Sequence, residues 1–238
     1  MTAMRRYLFV DDNLEFAENL GEIVGDCGAS CEMAGGGAEA IERVKRTRFD
    51  AVVTDMRMPG MGGAQVVHEI RRIDPGLPAV VLTAHAGDAD LESARLEGLV
   101  AVLTKPAPME RLLALLGAAR RDGLLAVLED DAALLDNLTE ALRLRGFAAV
   151  TASSVLDTER LGPVRPFAAL VDLTVPGGPD GEAVRRLEAR FPGIPLVAVT
   201  ASPWSAPAHC RAVFQKPFDT GALLAAVEKL HGERLPLP

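Results

Sequence analysis

Five positions recur in the same order twice along this chain, and they are the residues that could do chemistry. Asp11 and Asp12 are followed by Asp55, Thr83 and Lys105; then Glu129 and Asp130 are followed by Asp172, Thr200 and Lys216. Asp55 and Thr83 stand 28 residues apart, and so do Asp172 and Thr200. Three carboxylates brought together repel one another unless a cation joins them, and an all-oxygen, aspartate-rich donor set suits Mg2+ or Mn2+. A carboxylate such as Asp55 can attack phosphorus and form an acyl phosphate, while Lys105 and the metal neutralise charge on the transferring group. A lone acidic pair after a strand reads more simply as a solvated turn or a helix cap. The ordered recurrence with a threonine and a lysine carries the functional reading.

The elements that must hold these residues repeat as well. YLFVDDNLEFAENL (residues 7–20) is echoed by LAVLEDDAALLDNL (125–138), and FDAVVTDMRMPG (49–60) by FAALVDLTVPG (167–177). LPAVVLTA (77–84) pairs with IPLVAVTA (194–201), and LTKPAP (103–108) with FQKPFD (214–219). Within each copy short apolar runs alternate with amphipathic stretches, the pattern of βα units around a parallel sheet. Strands are expected near residues 7–10, 30–34, 51–54, 79–83 and 101–103, and again from 124–128 onward in a second copy of the same scheme. Helical stripes are expected from Phe16, Leu20 and Ile23, from Ile41 and Val44, and from Leu112, Leu115 and Leu116 in a helix opening at Pro108. A last helix capped by Asp219 would turn Leu223, Leu224, Val227 and Leu230 inward. The fold class is therefore α/β, two doubly wound five-stranded parallel sheets in tandem, over residues 1–122 and 123–230, with a frayed tail at 231–238. In such sheets ligand groups gather at the carboxyl ends of the strands, and Asp11, Asp12, Asp55, Thr83 and Lys105 all fall there.

Composition sets limits on function. The 238 residues are 49% hydrophobic, enough for two ordinary cores, and no run is long enough to span a bilayer. The first residues lack the apolar core of a signal peptide, so a cytoplasmic protein is expected. A formal charge of −8 argues against a nucleic-acid surface, which needs a basic stripe. Cys27, Cys31 and Cys210 have neither CxxC spacing nor nearby histidines and read as buried thiols rather than a disulfide or zinc set. His68 and His85 read as surface residues, with no second histidine at metal-ligand spacing.

With these motifs in place, both halves resemble the receiver domains of bacterial two-component response regulators, a flavodoxin-like fold, and the resemblance covers nearly the whole chain. It implies that Asp11 and Asp12 organise Mg2+, that the backbone carbonyl of Arg57 adds a ligand, and that Asp55 is the phosphoacceptor. Thr83 would grip the phosphoryl group and Lys105 would pair with it. The matching second set is Glu129, Asp130, Asp172, Thr200 and Lys216, with the carbonyl of Thr174. Cis bonds before Pro106 and Pro217 are also implied. The partner would be a sensor histidine kinase or a histidine phosphotransfer protein, and family analogy leaves a homodimer through the last helices open.

The departures bear on function too. Val102 and Val213 stand where the family usually carries an aromatic residue three positions before the lysine. Thr83 and Lys105 are 22 residues apart but Thr200 and Lys216 only 16, so the second domain is expected to have a shortened fourth helix. Three readings follow: a signalling receiver that is not an enzyme, an aspartate-nucleophile phosphohydrolase, or an active receiver joined to a degenerate docking receiver that serves as phosphate sink or scaffold. Hydrolases of that type place a second acid two residues after the nucleophile, and here those positions are Arg57 and Thr174. Nothing resembling a DNA-binding or catalytic output segment follows the second copy.

Overall fold

Runs such as Ala51–Asp55 and Ala79–Thr83 are buried at every position, as strands covered on both faces must be, and this is why they are apolar throughout rather than alternating. The computed structural model describes the chain except residues 1–3, 85–89, 161–163, 178–180 and 235–238, and except the side chains of 14–19, 92–93 and 160. Two compact units part between Asp122 and Gly123.

In the first unit β1 (Arg6–Val10), β2 (Ser30–Ala34), β3 (Ala51–Asp55), β4 (Ala79–Thr83) and β5 (Ala101–Thr104) form a parallel sheet in the order β2-β1-β3-β4-β5. The crossovers are α1 (Leu14–Asp26), α2 (Gly37–Arg46), α3 (Gly63–Ile73) and α4 (Asp90–Leu96), and α5 (Met109–Ala118) follows the last strand. The chain leaves β1 first toward β2 and then returns to β3 on the other side, so a crevice opens between the ends of β1 and β3. Leu8, Val52, Ile70, Leu77 and Val81 pack the sheet against its helices. A cation shares this interior: Arg71 is buried and donates to the carbonyls of Pro75, Leu77, Glu97 and Gly98, which ties α3 to the end of α4. Burial pushes its pKa down to about 10 against the opposing pull of Glu97 and Asp74.

The second unit has the same sheet: β6 (Leu124–Leu128), β7 (Ala148–Ala152), β8 (Ala168–Asp172), β9 (Leu196–Thr200) and β10 (Ala212–Gln215), in the order β10-β9-β8-β6-β7. Its helices are α6 (Ala132–Leu144), α7 (Glu182–Arg190) and α8 (Thr220–Gly232). The fourth helix is reduced as expected, to a 3₁₀ turn at Pro203–Ser205. The copy is less faithful than the sequence reading had it, because the crossover from β7 to β8 also carries only a 3₁₀ segment, Leu156–Arg160, among the described residues.

Smaller expectations need correction. Ile23 points outward at 38% exposure, and its neighbour Val24 takes the core position, about 100° further round the helix; Phe16 lies outside the described side chains. Pro108 is the residue before α5 rather than its first turn. None of the cysteines is fully buried, and Cys27 is exposed. The last helix does carry Asp219 as its cap, accepting from the Ala222 N–H at 2.6 Å, with Leu223, Leu224, Val227 and Leu230 buried. It continues past Leu230, because His231 packs edge-on against the rings of Phe147 and Phe167. No helix among the described residues is long and apolar enough to cross a membrane.

Candidate functional site

Parallel register delivers the first cluster. β1 and β3 run side by side with Val10 opposite Thr54, so the residues that follow, Asp11 and Asp55, come out at the same edge. β4 and β5 bring Thr83 opposite Thr104, one residue before Lys105. The Lys105 N–H donates to the Thr83 carbonyl at 2.7 Å, and the Lys105–Pro106 bond is cis, as the resemblance implied. The loop after β3 is pinned by close approach: the Gly63 N–H donates to the Met56 carbonyl at 2.9 Å, and a Cβ at Gly63 would overlap the Asp55 carbonyl oxygen. Glycine is what allows α3 to begin so near the end of β3.

At that edge Lys105 Nζ donates to Asp11 Oδ2 at 2.8 Å and lies 3.0 Å from Asp55 Oδ1. Asp11, Asp55 and Thr83 are buried, whereas Asp12 is exposed. Burial disfavours the Lys105 ammonium, but its bonds to Asp11 and Asp55 outweigh that and raise its pKa above the ordinary lysine value. Asp11, Asp12 and Asp55 each offer a carboxylate oxygen, and these atoms lie within 4.8 Å of one another. An all-oxygen set of that size fits a small hard cation. The Arg57 side chain is exposed.

The second cluster is assembled by the same register. Leu128 lies opposite Val171, which sets Glu129 beside Asp172, and Gln215 lies opposite Thr200, which sets Lys216 at the same edge. Glu129, Asp172 and Thr200 are buried, Asp130 is exposed, and Lys216–Pro217 is cis. Glu129, Asp130 and Asp172 again bring carboxylate oxygens within 4.8 Å. Lys216 Nζ donates to both oxygens of Glu129, at 2.9 and 2.8 Å, and to Asp172 Oδ2 at 2.7 Å. Asp172 Oδ1 is held as well, by the Thr174 N–H at 2.8 Å and the Thr174 hydroxyl at 2.7 Å. Burial raises the Glu129 carboxyl above the usual range despite Lys216. For Asp172 burial pushes the same way, but the bonds from Lys216 and Thr174 prevail and hold it below the usual range.

The structure thus brings together the carboxylates and the lysine singled out for each site, with the threonine ending a strand at the same edge. Sequence reasoning named Thr174 only for its backbone and missed its hydroxyl. It also missed Asp131, which caps α6 by accepting from the Ala133 and Leu134 N–H groups at 2.9 and 3.1 Å. An Asp directly before an apolar helical run was the available signal. Trp204 sits on the 3₁₀ turn that follows β9 and is 83% exposed.

A doubly wound sheet in 2-1-3-4-5 order, with an acidic cluster and a cis Lys-Pro at its edge, is matched by the response regulator receiver domain over residues 7–117, and the chain belongs to that family. A response regulator receiver protein of Anaeromyxobacter sp. (strain Fw109-5) is 62% identical over 231 residues, covering 97% of each chain. Transcriptional regulatory protein GlrR of Escherichia coli (strain K12) is 36% identical over 105 residues, or 44% of this chain and 24% of that protein. Among solved structures, the receiver domain of sensor histidine kinase PA1611 from Pseudomonas aeruginosa PAO1 has a magnesium ion coordinated in its active-site cleft. It is 28% identical with a TM-score of 0.44, covering 48% of this chain and 95% of that one.

Proposed function

We propose that the chain is a tandem receiver, residues 1–122 and 123–230, that accepts a phosphoryl group on Asp55 from a histidine kinase or phosphotransfer protein in the cytoplasm and signals through protein contacts. The observation that carries this reading is Lys105 set between Asp11 and Asp55, with the buried Thr83 ending the neighbouring strand. A carboxylate oxygen of Asp55 forms a bond to phosphorus as the bond from phosphorus to the donor's imidazole nitrogen breaks. Lys105 stands 3.0 Å from that carboxylate, where its ammonium can meet phosphoryl oxygens, and the Thr83 hydroxyl supplies a hydrogen bond. Asp11, Asp12, Asp55 and the Arg57 carbonyl would hold Mg2+; Glu129, Asp130, Asp172 and the Thr174 carbonyl are the corresponding set. Bound there, Mg2+ supplies positive charge against the oxygens of the transferring group.

A second reading applies to the second unit alone, as a docking receiver that seldom takes phosphate. Two observations favour it: both oxygens of Asp172 are engaged, and only a 3₁₀ turn stands where the first unit has α4. The test is acetyl phosphate with Mg2+ followed by intact mass. One stable adduct, lost in Asp55→Asn and kept in Asp172→Asn, supports the proposal, since Asn offers no carboxylate nucleophile. Rapid multiple turnover would make the chain a phosphohydrolase, and no adduct at all would leave only a scaffold.

A further inference from the structure

Asp172 is satisfied by its own chain to a degree that bears on whether it can react. A carboxylate has roughly four lone-pair sites. Here Oδ2 accepts from Lys216 at 2.7 Å, and Oδ1 accepts twice from Thr174, through its N–H at 2.8 Å and its hydroxyl at 2.7 Å. Three of those sites are taken and both on Oδ1 are filled, so a metal or phosphorus approaching Oδ1 competes with bonds already made. The Lys216 contact has a counterpart in Lys105 beside Asp55, and a backbone N–H is present whatever the residue. The hydroxyl is different. The residue two positions after Asp55 is Arg57, so a hydroxyl at this position is particular to the second unit.

We propose that Thr174 is a positioning residue whose hydroxyl caps Asp172 and holds the second site in a closed, non-accepting arrangement. The proposal rests on the receiver reading above and adds a group that controls the second site. Thr174 is itself exposed, so its hydroxyl can turn from Asp172 to solvent without disturbing the core. Opening therefore costs the Asp172 contact and little else. Glu129 adds to the closure, since both of its oxygens accept from Lys216 and keep the ammonium beside Asp172. When the cap is removed, one oxygen of Asp172 keeps only the backbone N–H. It can then form a bond to phosphorus while the donor's bond to phosphorus breaks and the leaving group departs with its electron pair.

The experiment uses the full chain carrying Asp55→Asn, with acetyl phosphate and Mg2+, and follows the adduct on Asp172 by intact mass and peptide mapping. Thr174→Val keeps the shape and the N–H but removes the hydroxyl, and labelling of Asp172 should speed up about tenfold, equivalent to about 1.4 kcal/mol. Thr174→Ser restores a hydroxyl and should return labelling to the slow rate; Thr174→Ala repeats the test without the β-branch. If Val and Ala label Asp172 no faster than the parent background while Asp55 of the unmodified chain labels normally, the cap is refuted and the receiver reading stands. An unlabelled Asp55 in the unmodified chain overturns both together.

Discussion

Lys105→Met replaces the ammonium between two buried carboxylates by an apolar chain of similar length, and it should move metal binding and phosphorylation in opposite directions. In the structure Lys105 donates to Asp11 at 2.8 Å and lies 3.0 Å from Asp55, with a side chain only 26% exposed. Each such charge-assisted bond is worth on the order of 1.5–3 kcal/mol. A cation entering the cluster competes with both, so deleting the ammonium removes the competitor and should tighten Mg2+ by about tenfold or more, tenfold being about 1.4 kcal/mol. Without metal the same change leaves Asp11 and Asp55 facing each other uncompensated, which should cost the first unit about 2–4 kcal/mol. Mg2+ should restore that stability. Acyl-phosphate formation on Asp55 should nonetheless fall by roughly 100-fold, because the group that meets charge on the transferring oxygens is gone. Calorimetric Mg2+ titration, denaturation with and without Mg2+, and acetyl phosphate labelling read the three effects. A variant that binds Mg2+ more weakly than the parent, or labels as fast, would refute the placement of Lys105 as both competitor and clamp.

Other substitutions probe the remaining parts. Asp12→Ala, at an exposed position, should leave the fold intact but weaken Mg2+ about tenfold or more and slow labelling of Asp55 at limiting Mg2+; unchanged labelling there would remove Asp12 from the metal set. Thr83→Ala should still accept phosphate but lose the phosphorylation-dependent shift of amide signals in α4, Asp90–Leu96, and a full shift in that variant would show that the threonine does not transmit the state. Arg71→Met should strip four carbonyls of their buried donor and destabilise the first unit by about 3–5 kcal/mol in urea denaturation followed by circular dichroism; a loss below about 1 kcal/mol would contradict its role as the tie between α3 and α4.

Much of this was legible because it depends on features that sequence displays directly. Fully buried strands are uninterrupted apolar runs, and their ends are marked by the polar residues they deliver, so β2, β4 and β6 fall at the expected bounds. What sequence hid depends on side-chain direction and on burial of atypical groups. Ile23 and Val24 are both apolar neighbours on one helix, and only packing decides which of them faces the sheet. Arg71 reads as surface because a charged helical residue nearly always is, and only four converging carbonyls make its burial tolerable. The 3₁₀ segment Leu156–Arg160 looks helical by composition, although Pro163 and Pro166 just beyond it mark a stretch where a long helix could not continue. At the site, residue types at strand ends show that carboxylates meet. They do not show which hydroxyl will turn back onto one of them, as Thr174 does.

That last contact bears on why two nearly identical clusters in one chain need not behave alike. Each holds three carboxylates and one lysine, so each carries the same formal excess of negative charge and the same reason to bind a cation. One difference lies in how the lysine and the neighbouring hydroxyl are disposed around the carboxylates. Lys105 shares its bonds between the single-carbon arms of Asp11 and Asp55, whereas the longer arm of Glu129 presents both oxygens to Lys216 while Asp172 takes a further bond from Thr174. A cluster with more internal bonds gains less from a cation, because every ligand it gives up was already paired. The second unit also lacks an α4 beside its threonine, so even a phosphoryl group drawn to Thr200 would have only the short turn Pro203–Ser205 to move. On the proposed reading, site and output would be weakened together in the second unit. In the first, Thr83 ends the strand that leads toward α4, whose end Arg71 ties to α3.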